Sequence, residues 1–135
     1  MILVIGGYAQ GKLEYVKNKY GVSDDDVYDF EKLDYPFFFA NENETLFDKQ
    51  IVLNNINCLI KSAVKDGNNI DDLFEKLIAD YPNAIIITDE VGNGIVPDDK
   101  NERLLRDKIG RIQCLLAEKA EEVIRVVCGM GQKIK

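Results

Sequence analysis

Residues 1–13, MILVIGGYAQGKL, decide the fold of this chain. The apolar run at 2–5 predicts a short buried strand, and Gly6 and Gly7 predict a sharp turn at its end. A helix is expected over residues 12–20, because Gly21 is a typical helix stop. A strand, a glycine-rich loop and a helix in this order are the opening unit of an α/β fold.

The loop carries the glycines and the lysine of the phosphate-binding pattern G-x-x-x-x-G-K-[ST], at Gly6, Gly11 and Lys12. Such glycines let backbone N–H groups turn inward around phosphate oxygens, and the lysine adds a positive charge. The helix that follows offers its N-terminus to an anion. Leu13, however, stands where the pattern has a hydroxyl that binds Mg²⁺. Taken alone, the loop fits a nucleotide site and an ordinary glycine turn equally well.

The rest of the chain alternates strands with helices. Strands are predicted at 27–28, 50–54, 84–88 and 123–128, and helices at 55–65, 70–80 and 99–121. AIIIT at 84–88 suits a parallel sheet that is covered on both faces. Asp99 and Glu102 predict a capping box for the last helix, and a glycine turn and a tail follow the last strand. The sequence therefore predicts a P-loop NTPase-like α/β fold, with a mostly parallel sheet flanked by helices, in a single domain over residues 1–135.

The composition argues against several classes of partner and mechanism. The net charge of −7 argues against a general nucleic-acid-binding protein. No apolar run approaches the roughly 20 residues of a membrane helix, and we recognise no secretory signal, so no membrane partner and a cytoplasmic location are expected. The sequence contains no histidine, so these residues cannot supply a histidine base or a nucleotidyl-histidine. The three cysteines lie in apolar contexts and are expected to be buried thiols.

A second glycine-rich loop, TDEVGNGIVP at residues 88–97, follows the strongest predicted strand. Ligands of open α/β sheets gather at the carboxyl ends of the strands, so Asp89 and Glu90 are candidate functional carboxylates. The alternative is a glycine loop with solvated acids, which the pattern alone favours.

Residues 88–135 resemble the C-terminal half of the adenosylcobinamide kinase/adenosylcobinamide-phosphate guanylyltransferases. They contain, in the same order, the loop E-V-G-x-G-I-V-P, the helix motif R-D-x-x-G-R, an E-V strand and the ending G-x-G-x-K-I-K. The opening MILVIGG…GK also fits that family, so the resemblance covers residues 1–12 and 84–135. Members phosphorylate the adenosylcobinamide hydroxyl and then transfer GMP from GTP to the phosphate.

The resemblance implies roles for particular residues. Gly6, Gly7, Gly11 and Lys12 would bind the phosphates of GTP or ATP, and Lys12 and Glu90 would be the catalytic residues. A cobinamide-like small molecule would be the second ligand, and the chain would form a homo-oligomer, a trimer as in the family.

Two arginines of the last helix have two readings. The resemblance implies that Arg106 or Arg111 faces the site or a neighbouring subunit. The alternative is pairing along their own helix, because Glu102 and Asp107 lie four residues before them.

Three departures from the family concern its chemistry. Leu13 removes the hydroxyl ligand of Mg²⁺. The segment LNNINCLIKS at 53–62 places Asn54 where an aspartate would bind the metal, and Asn57 where a threonine stands. The segment that carries the guanylylated histidine is replaced by the acidic run at 24–26 and by YPFFFA at 35–40. No metal ligands are therefore assigned, and guanylyl transfer through histidine is not expected.

Two functions remain open at this point. The chain is either a residual nucleotide-binding enzyme, such as a kinase of a cobinamide-like or other alcohol, or a non-catalytic oligomeric homologue that acts by binding a nucleotide or a partner. The YPFFFA segment is expected to lie in the core or in a subunit contact rather than to form a corrinoid-binding surface.

Overall fold

The computed structural model describes residues 1–33, 36, 38, 49–92 and 98–135. Strands alternate with helices along the chain. The strands are β1 (Ile2–Gly6), β2 (Val27–Asp29), β3 (Val52–Asn54), β4 (Ile85–Asp89), β5 (Glu122–Val127) and β6 (Met130–Lys133). The helices are α1 (Lys12–Tyr20), α2 (Ile56–Lys65), α3 (Ile70–Asp80) and α4 (Lys100–Lys119), with a short 3-10 helix at Asp24–Asp26.

The described strands form one sheet in the order β2-β3-β4-β1-β5-β6. All neighbouring pairs are parallel except β5 and β6, which are antiparallel. β1 lies in the interior of the sheet, with Leu3 in register with Ile86 of β4 and Val123 of β5. This arrangement confirms the P-loop NTPase-like α/β fold, with a mostly parallel sheet flanked by helices.

Successive residues of each strand face opposite sides of the sheet, so each strand contributes to two apolar layers. Leu3, Leu53 and Ile86 face the layer that α2, α3 and α4 cover. Val4 faces the other layer, where Val16 of α1 packs. The continuous apolar runs of β1 and β4 are thereby explained, because both faces of these strands are buried.

Strand β6 was not predicted; its residues were expected to form a tail. All four residues of the strand are exposed, so they show no apolar alternation that could have revealed it. The strand exists because its backbone pairs with β5 after a tight turn, with Met130 opposite Val127.

The helix start predicted at Asp99 is confirmed: its side-chain oxygen accepts hydrogen bonds from the backbone N–H groups of Asn101 and Glu102, at 2.7 and 3.0 Å. The expectation of buried thiols is wrong for Cys114 on α4 and for Cys128 in the β5–β6 turn, which are exposed. The buried apolar residues closest to them, Ile112 and Leu116 on α4 and Val126 on β5, lie two residues away in the sequence. Cys58 is half-buried, and burial raises the pKa of its thiol.

Of the YPFFFA segment, the structure describes the side chain of Phe38. Its ring is buried, and it contacts the rings of Tyr28, Phe30 and Tyr81 at centroid distances of 5.2, 5.3 and 5.5 Å. This position agrees with the expected place in the core, while residues 35, 37, 39 and 40 lie outside the described part. Residues 93–97 of the second glycine-rich loop also lie outside it. Among the described helices, none combines the length and the apolar character that crossing a bilayer requires.

Candidate functional site

The loop between β1 and α1 depends on its two pattern glycines for different reasons. A Cβ at Gly6 would overlap the backbone carbonyl oxygen of Val126 on the neighbouring strand β5. Gly11 has a φ of 77°, in the left-handed region that favours glycine, and it immediately precedes the first residue of α1. The glycine spacing therefore shapes a loop that wraps toward the N-terminus of α1, as the sequence predicts.

Lys12 turns its side chain back under this loop and is almost fully buried. Its ammonium group donates to the carbonyl oxygen of Gly7 at 2.7 Å and to Oδ1 of Asp89 at 2.5 Å. A buried ammonium needs such partners, because leaving it unpaired costs several kcal/mol. The carboxyl end of β4 thus supplies the counter-charge of the loop lysine.

The backbone of Asp89 is itself held by neighbouring side chains. Its carbonyl oxygen accepts from Nε2 of Gln113 on α4 at 2.6 Å and from Nδ2 of Asn57 on α2 at 3.2 Å. The hydroxyl of Thr88 donates to Oδ1 of Asn57 at 2.7 Å and accepts from Gln113 at 3.0 Å. These amides and the hydroxyl fix the end of β4, and with it the direction from which Asp89 reaches Lys12.

Sequence reasoning missed the role of Gln113. Its only signal was that a polar residue lies beside the apolar stripe of α4, next to the buried Ile112.

Glu90 points to a different partner from Asp89. Its carboxylate forms a two-point ion pair with Arg125 of β5, with Nε–Oε1 and Nη2–Oε2 distances of 2.6 and 3.1 Å. The hydrogen bonds with Glu90 raise the pKa of the Arg125 guanidinium. The backbone N–H of Glu90 donates to the carbonyl oxygen of Gly6 at 2.9 Å, so Glu90 lies beside the loop. The catalytic role assigned to Glu90 from the sequence stays a prediction.

A cleft of about 200 Å³ opens between the loop and the ends of β3 and β4. Its walls are residues 8–14 together with Asn54, Asn55 and Asp89. The cleft lies at the carboxyl ends of parallel strands and next to the N-terminus of α1, where an anion is favoured. Gly11 and Lys12 line this cleft, whereas Gly6 and Gly7 are not part of its lining. The assignment of these four residues to nucleotide phosphates stays a prediction.

The outer side of the loop is braced by the β5–β6 turn. Gln10 accepts hydrogen bonds from the backbone N–H groups of Cys128 and Gly129, through its side-chain and backbone oxygens, at 2.8 and 2.9 Å. Cys128 and Gly129 both have positive φ values, 50° and 75°, which is the geometry of a two-residue hairpin turn. The turn that joins the last two strands thus helps to hold the phosphate-loop backbone.

The side chains around this cleft do not fit a resident magnesium ion. Leu13 has no oxygen to offer, Asn54 is a buried neutral amide, and the carboxylate of Asp89 already pairs with Lys12. The other carboxylate of the lining, Glu14, is exposed and accepts a hydrogen bond from Nδ2 of Asn18 at 3.2 Å. In the part of the chain that the structure describes, no three acidic, cysteine or histidine side chains come together as metal ligands. No step of the proposed chemistry is therefore routed through a metal.

Arg106 and Arg111 of α4 do not line the cleft, whose walls are given above. Arg111 forms its ion pair with Asp71 of α3, and both side chains are exposed. The partner of Arg111 is thus 40 residues away in the chain, and not Asp107, which was one of the two alternatives. Arg106 is half-buried on the same helix.

Comparison with known proteins identifies the relatives of this chain. The family model for cobinamide kinase / cobinamide phosphate guanyltransferase matches residues 39–134. The bifunctional adenosylcobalamin biosynthesis protein CobU of Salmonella typhimurium is 44% identical over 70 residues, which are 49% of this chain and 39% of that protein. The protein of the same name from Escherichia coli K12 is 49% identical over 52 residues, 38% of this chain and 29% of that protein. The matched segments thus span well under two thirds of either relative. The chain belongs to the cobinamide kinase / cobinamide phosphate guanyltransferase family.

Proposed function

We propose that this chain is a nucleotide-binding member of its family that acts in cobalamin biosynthesis, with the phosphates of GTP or ATP bound by loop residues 6–12. The observation that carries the proposal is the buried ammonium group of Lys12, which lies 2.5 Å from Asp89 in a cleft at the carboxyl edge of the sheet. A buried lysine with a carboxylate partner and a glycine-shaped loop around it supplies both charge and backbone donors for a phosphate.

Phosphate binding requires the contacts of Lys12 to be exchanged. An entering phosphate oxygen takes a hydrogen bond that the ammonium group now gives to Gly7 or Asp89, and backbone N–H groups of the loop supply further donors. If a phosphoryl group is transferred, Lys12 stabilises its developing negative charge, and Glu90 beside the loop is the candidate base. The histidine route of guanylyl transfer is not open to these residues, because the sequence contains no histidine.

The second candidate function is a non-catalytic homologue that binds a nucleotide or a partner through an oligomeric surface. Leu13 and Asn54 favour it, because both stand in the cleft where the family pattern calls for metal ligands, while the loop and its lysine are kept. Under either version we propose a cytoplasmic homo-oligomer, a trimer as in the family, with a cobinamide-like small molecule as second ligand and with no nucleic acid or membrane as partner.

Calorimetric titration with GTP and ATP, each with Mg²⁺ and with a chelator, tests the proposal. We expect Lys12→Met to weaken nucleotide binding by about 10- to 150-fold, the value of a hydrogen-bonded charge. Lys61→Met is the matched control, since Lys61 is exposed on α2 and does not line the cleft. Equal nucleotide affinity in the wild-type protein and Lys12→Met would show that the loop is not the site. Binding that magnesium strengthens would favour the enzyme over the non-catalytic homologue.

A further inference from the structure

Asn54, the last residue of β3, has a buried side chain without a protein partner. The residue is 7% exposed, and its amide forms no hydrogen bond with any other residue that the structure describes. The other two buried polar side chains in the described ranges, Lys12 and Thr88, both have partners. An unpaired buried amide destabilises a fold, so its presence calls for a functional reason.

The amide of Asn54 is directed into the cleft next to the phosphate loop. Leu53 faces the layer that α2, α3 and α4 cover, whereas Val52 faces the layer of α1. Because side chains alternate along a strand, Asn54 faces α1 as Val52 does, and it lines the cleft. Its backbone is held in place, since its carbonyl oxygen accepts from the N–H of Phe30 at 3.1 Å.

Two helices begin at the same cleft. Gly11 precedes the first residue of α1, Asn55 precedes the first residue of α2, and both line the cleft. Both have left-handed backbones, with φ values of 77° and 58°, and no side chain caps either helix start. The first N–H groups of a helix lack partners within the helix and attract an anion. The amide of Asn54 therefore shares one space with the donors of two helix starts.

The charges of the lining explain why a neutral amide suits an anion here. The lining contains one positive side chain, Lys12, and two negative ones, Glu14 and Asp89. A third carboxylate at position 54 would repel a phosphate unless a cation lay between them. An amide N–H instead adds a hydrogen-bond donor and no negative charge.

We propose that Asn54 is a direct phosphate ligand: its Nδ2–H donates to a phosphate oxygen, so that the cleft binds phosphates without a bridging magnesium ion. Phosphate oxygens are acceptors only, which is what an unpaired N–H donor requires. The poor fit of the cleft for magnesium and the unpaired buried amide then have one explanation. The role of Asn54 toward phosphate follows from its burial and position, whereas the identity of the ligand as a nucleotide rests on the proposed function.

The experiment follows the side-chain NH₂ signals of the ¹⁵N-labelled full chain in the presence of a chelator. The chain is titrated with tripolyphosphate, GTP and ATP; tripolyphosphate carries the phosphates without a base or a sugar. We expect each of the three to shift the Asn54 signals in a saturable way. The signals of Asn83, which is exposed before the first residue of β4 and does not line the cleft, are the internal reference and should not move.

Substitutions separate a ligand from a structural residue. Asn54→Leu keeps the approximate size and removes the donor, so we expect phosphate binding to weaken about tenfold or more while Tm is unchanged or higher. A merely structural asparagine would lower Tm instead. Asn54→Asp should weaken metal-free binding further than Asn54→Leu, because its carboxylate repels the phosphate. Asn83→Asp makes the same change in net charge outside the cleft and should leave the affinity within about twofold of wild type.

Magnesium supplies an independent arm of the test. Mg²⁺ binds the phosphate oxygens of a nucleotide, the same atoms that Asn54 would contact. We therefore expect Mg²⁺ to leave nucleotide binding by the wild-type protein unchanged or to weaken it.

Three results would overturn the inference: no shift of the Asn54 signals with any of the three phosphates, equal affinity of Asn54→Leu and the wild-type protein, or nucleotide binding that Mg²⁺ strengthens. The two proposals fail separately. Equal binding of GTP or ATP by Asn54→Leu and the wild-type protein rejects the role of Asn54 alone. Tripolyphosphate binding that shifts the Asn54 signals, in a protein that binds neither nucleotide, rejects the proposed function alone.

Discussion

Replacing Asp89 by asparagine tests the ion pair at the centre of the candidate site. The substitution keeps the size of the side chain and an oxygen that can accept from Lys12, and it removes only the negative charge. The buried ammonium group then loses its counter-charge while its hydrogen bonds to Gly7 and to residue 89 can remain. Both the stability of the fold and the affinity for an anion should change, in opposite directions.

The burial of the two side chains sets the size of the loss in stability. The side chain of Lys12 is 9% exposed and that of Asp89 is 29% exposed. Removing one partner of a fully buried pair costs about 3–5 kcal/mol, whereas an exposed pair contributes about 0–1 kcal/mol. Because one partner is buried and the other is partly in water, we expect the free energy of unfolding to fall by about 2 kcal/mol. For a chain of this length, Tm should fall by about 6–8 °C.

Nucleotide affinity should rise in the same variant. The Lys12 ammonium group no longer has to leave a carboxylate when a phosphate enters, and one negative charge is removed from the cleft wall. We expect GTP or ATP to bind about tenfold more tightly in the presence of a chelator, which corresponds to about 1.4 kcal/mol. Thermal unfolding followed by circular dichroism and calorimetric titration measure the two effects.

Asp71→Asn is the matched control, because its ion pair with Arg111 is exposed on both sides. We expect it to change Tm by less than about 3 °C and to leave nucleotide affinity unchanged. The reasoning fails if Asp89→Asn has the same Tm as the wild-type protein, since the ion pair would then contribute nothing to the stability of the fold. It also fails if metal-free nucleotide binds Asp89→Asn more weakly than the wild-type protein.

Three further outcomes are expected. Gly6→Ala should lower the free energy of unfolding by at least about 2 kcal/mol in a denaturant titration, because the added methyl group overlaps the carbonyl oxygen of Val126; equal stability would contradict the close approach of the two strands. At pH 8, Cys58 should react with a thiol reagent more slowly than the two exposed cysteines, since burial raises its pKa and lowers its thiolate fraction; peptide mapping identifies the order. The hydrogen bond with Lys19 lowers the pKa of Glu122 from its ordinary 4.5, so this carboxylate stabilises the fold above that pH and loses its effect as the pH falls through the lower folded-state pKa. The Tm difference between the wild-type protein and Glu122→Gln should therefore be present at pH 7 and shrink below pH 4.5; a difference independent of pH would refute this assignment.

Local signals made most of the fold predictable. β1 and β4 are apolar on both faces, so their runs stand out without knowledge of the tertiary structure, and the glycines after β1 mark the loop. β6 could not be found in this way, because its exposed side chains do not alternate and the strand is held by backbone pairing with β5. A strand that is held only by backbone pairing with its neighbour has no side-chain pattern by which the sequence could reveal it.

The residues of the candidate site could be named from the sequence, but most of their contacts could not. The sequence placed Lys12 at the start of a helix and Asp89 and Glu90 at the end of a strand. Neighbouring residues of a strand face opposite ways, so only the assembled sheet shows which carboxylate meets the lysine. Glu90 was the residue singled out from the family resemblance, and the structure pairs it with Arg125. Pairings such as this one and that of Gln10 with the distant turn join segments that no local pattern connects.

The contact between Gln10 and Cys128 spans 118 residues of the chain, so it can form only after nearly the whole chain has been synthesised. During synthesis the phosphate loop leaves the ribosome long before the turn that braces it exists. Contacts of such large sequence separation form late in folding, because a long segment must first be closed into a loop. If residues 6–12 bind phosphate as proposed, they would do so only after the β5–β6 hairpin has docked. Under the proposed function, a nascent or proteolytically trimmed chain without this hairpin would therefore contain the motif but would not bind phosphate.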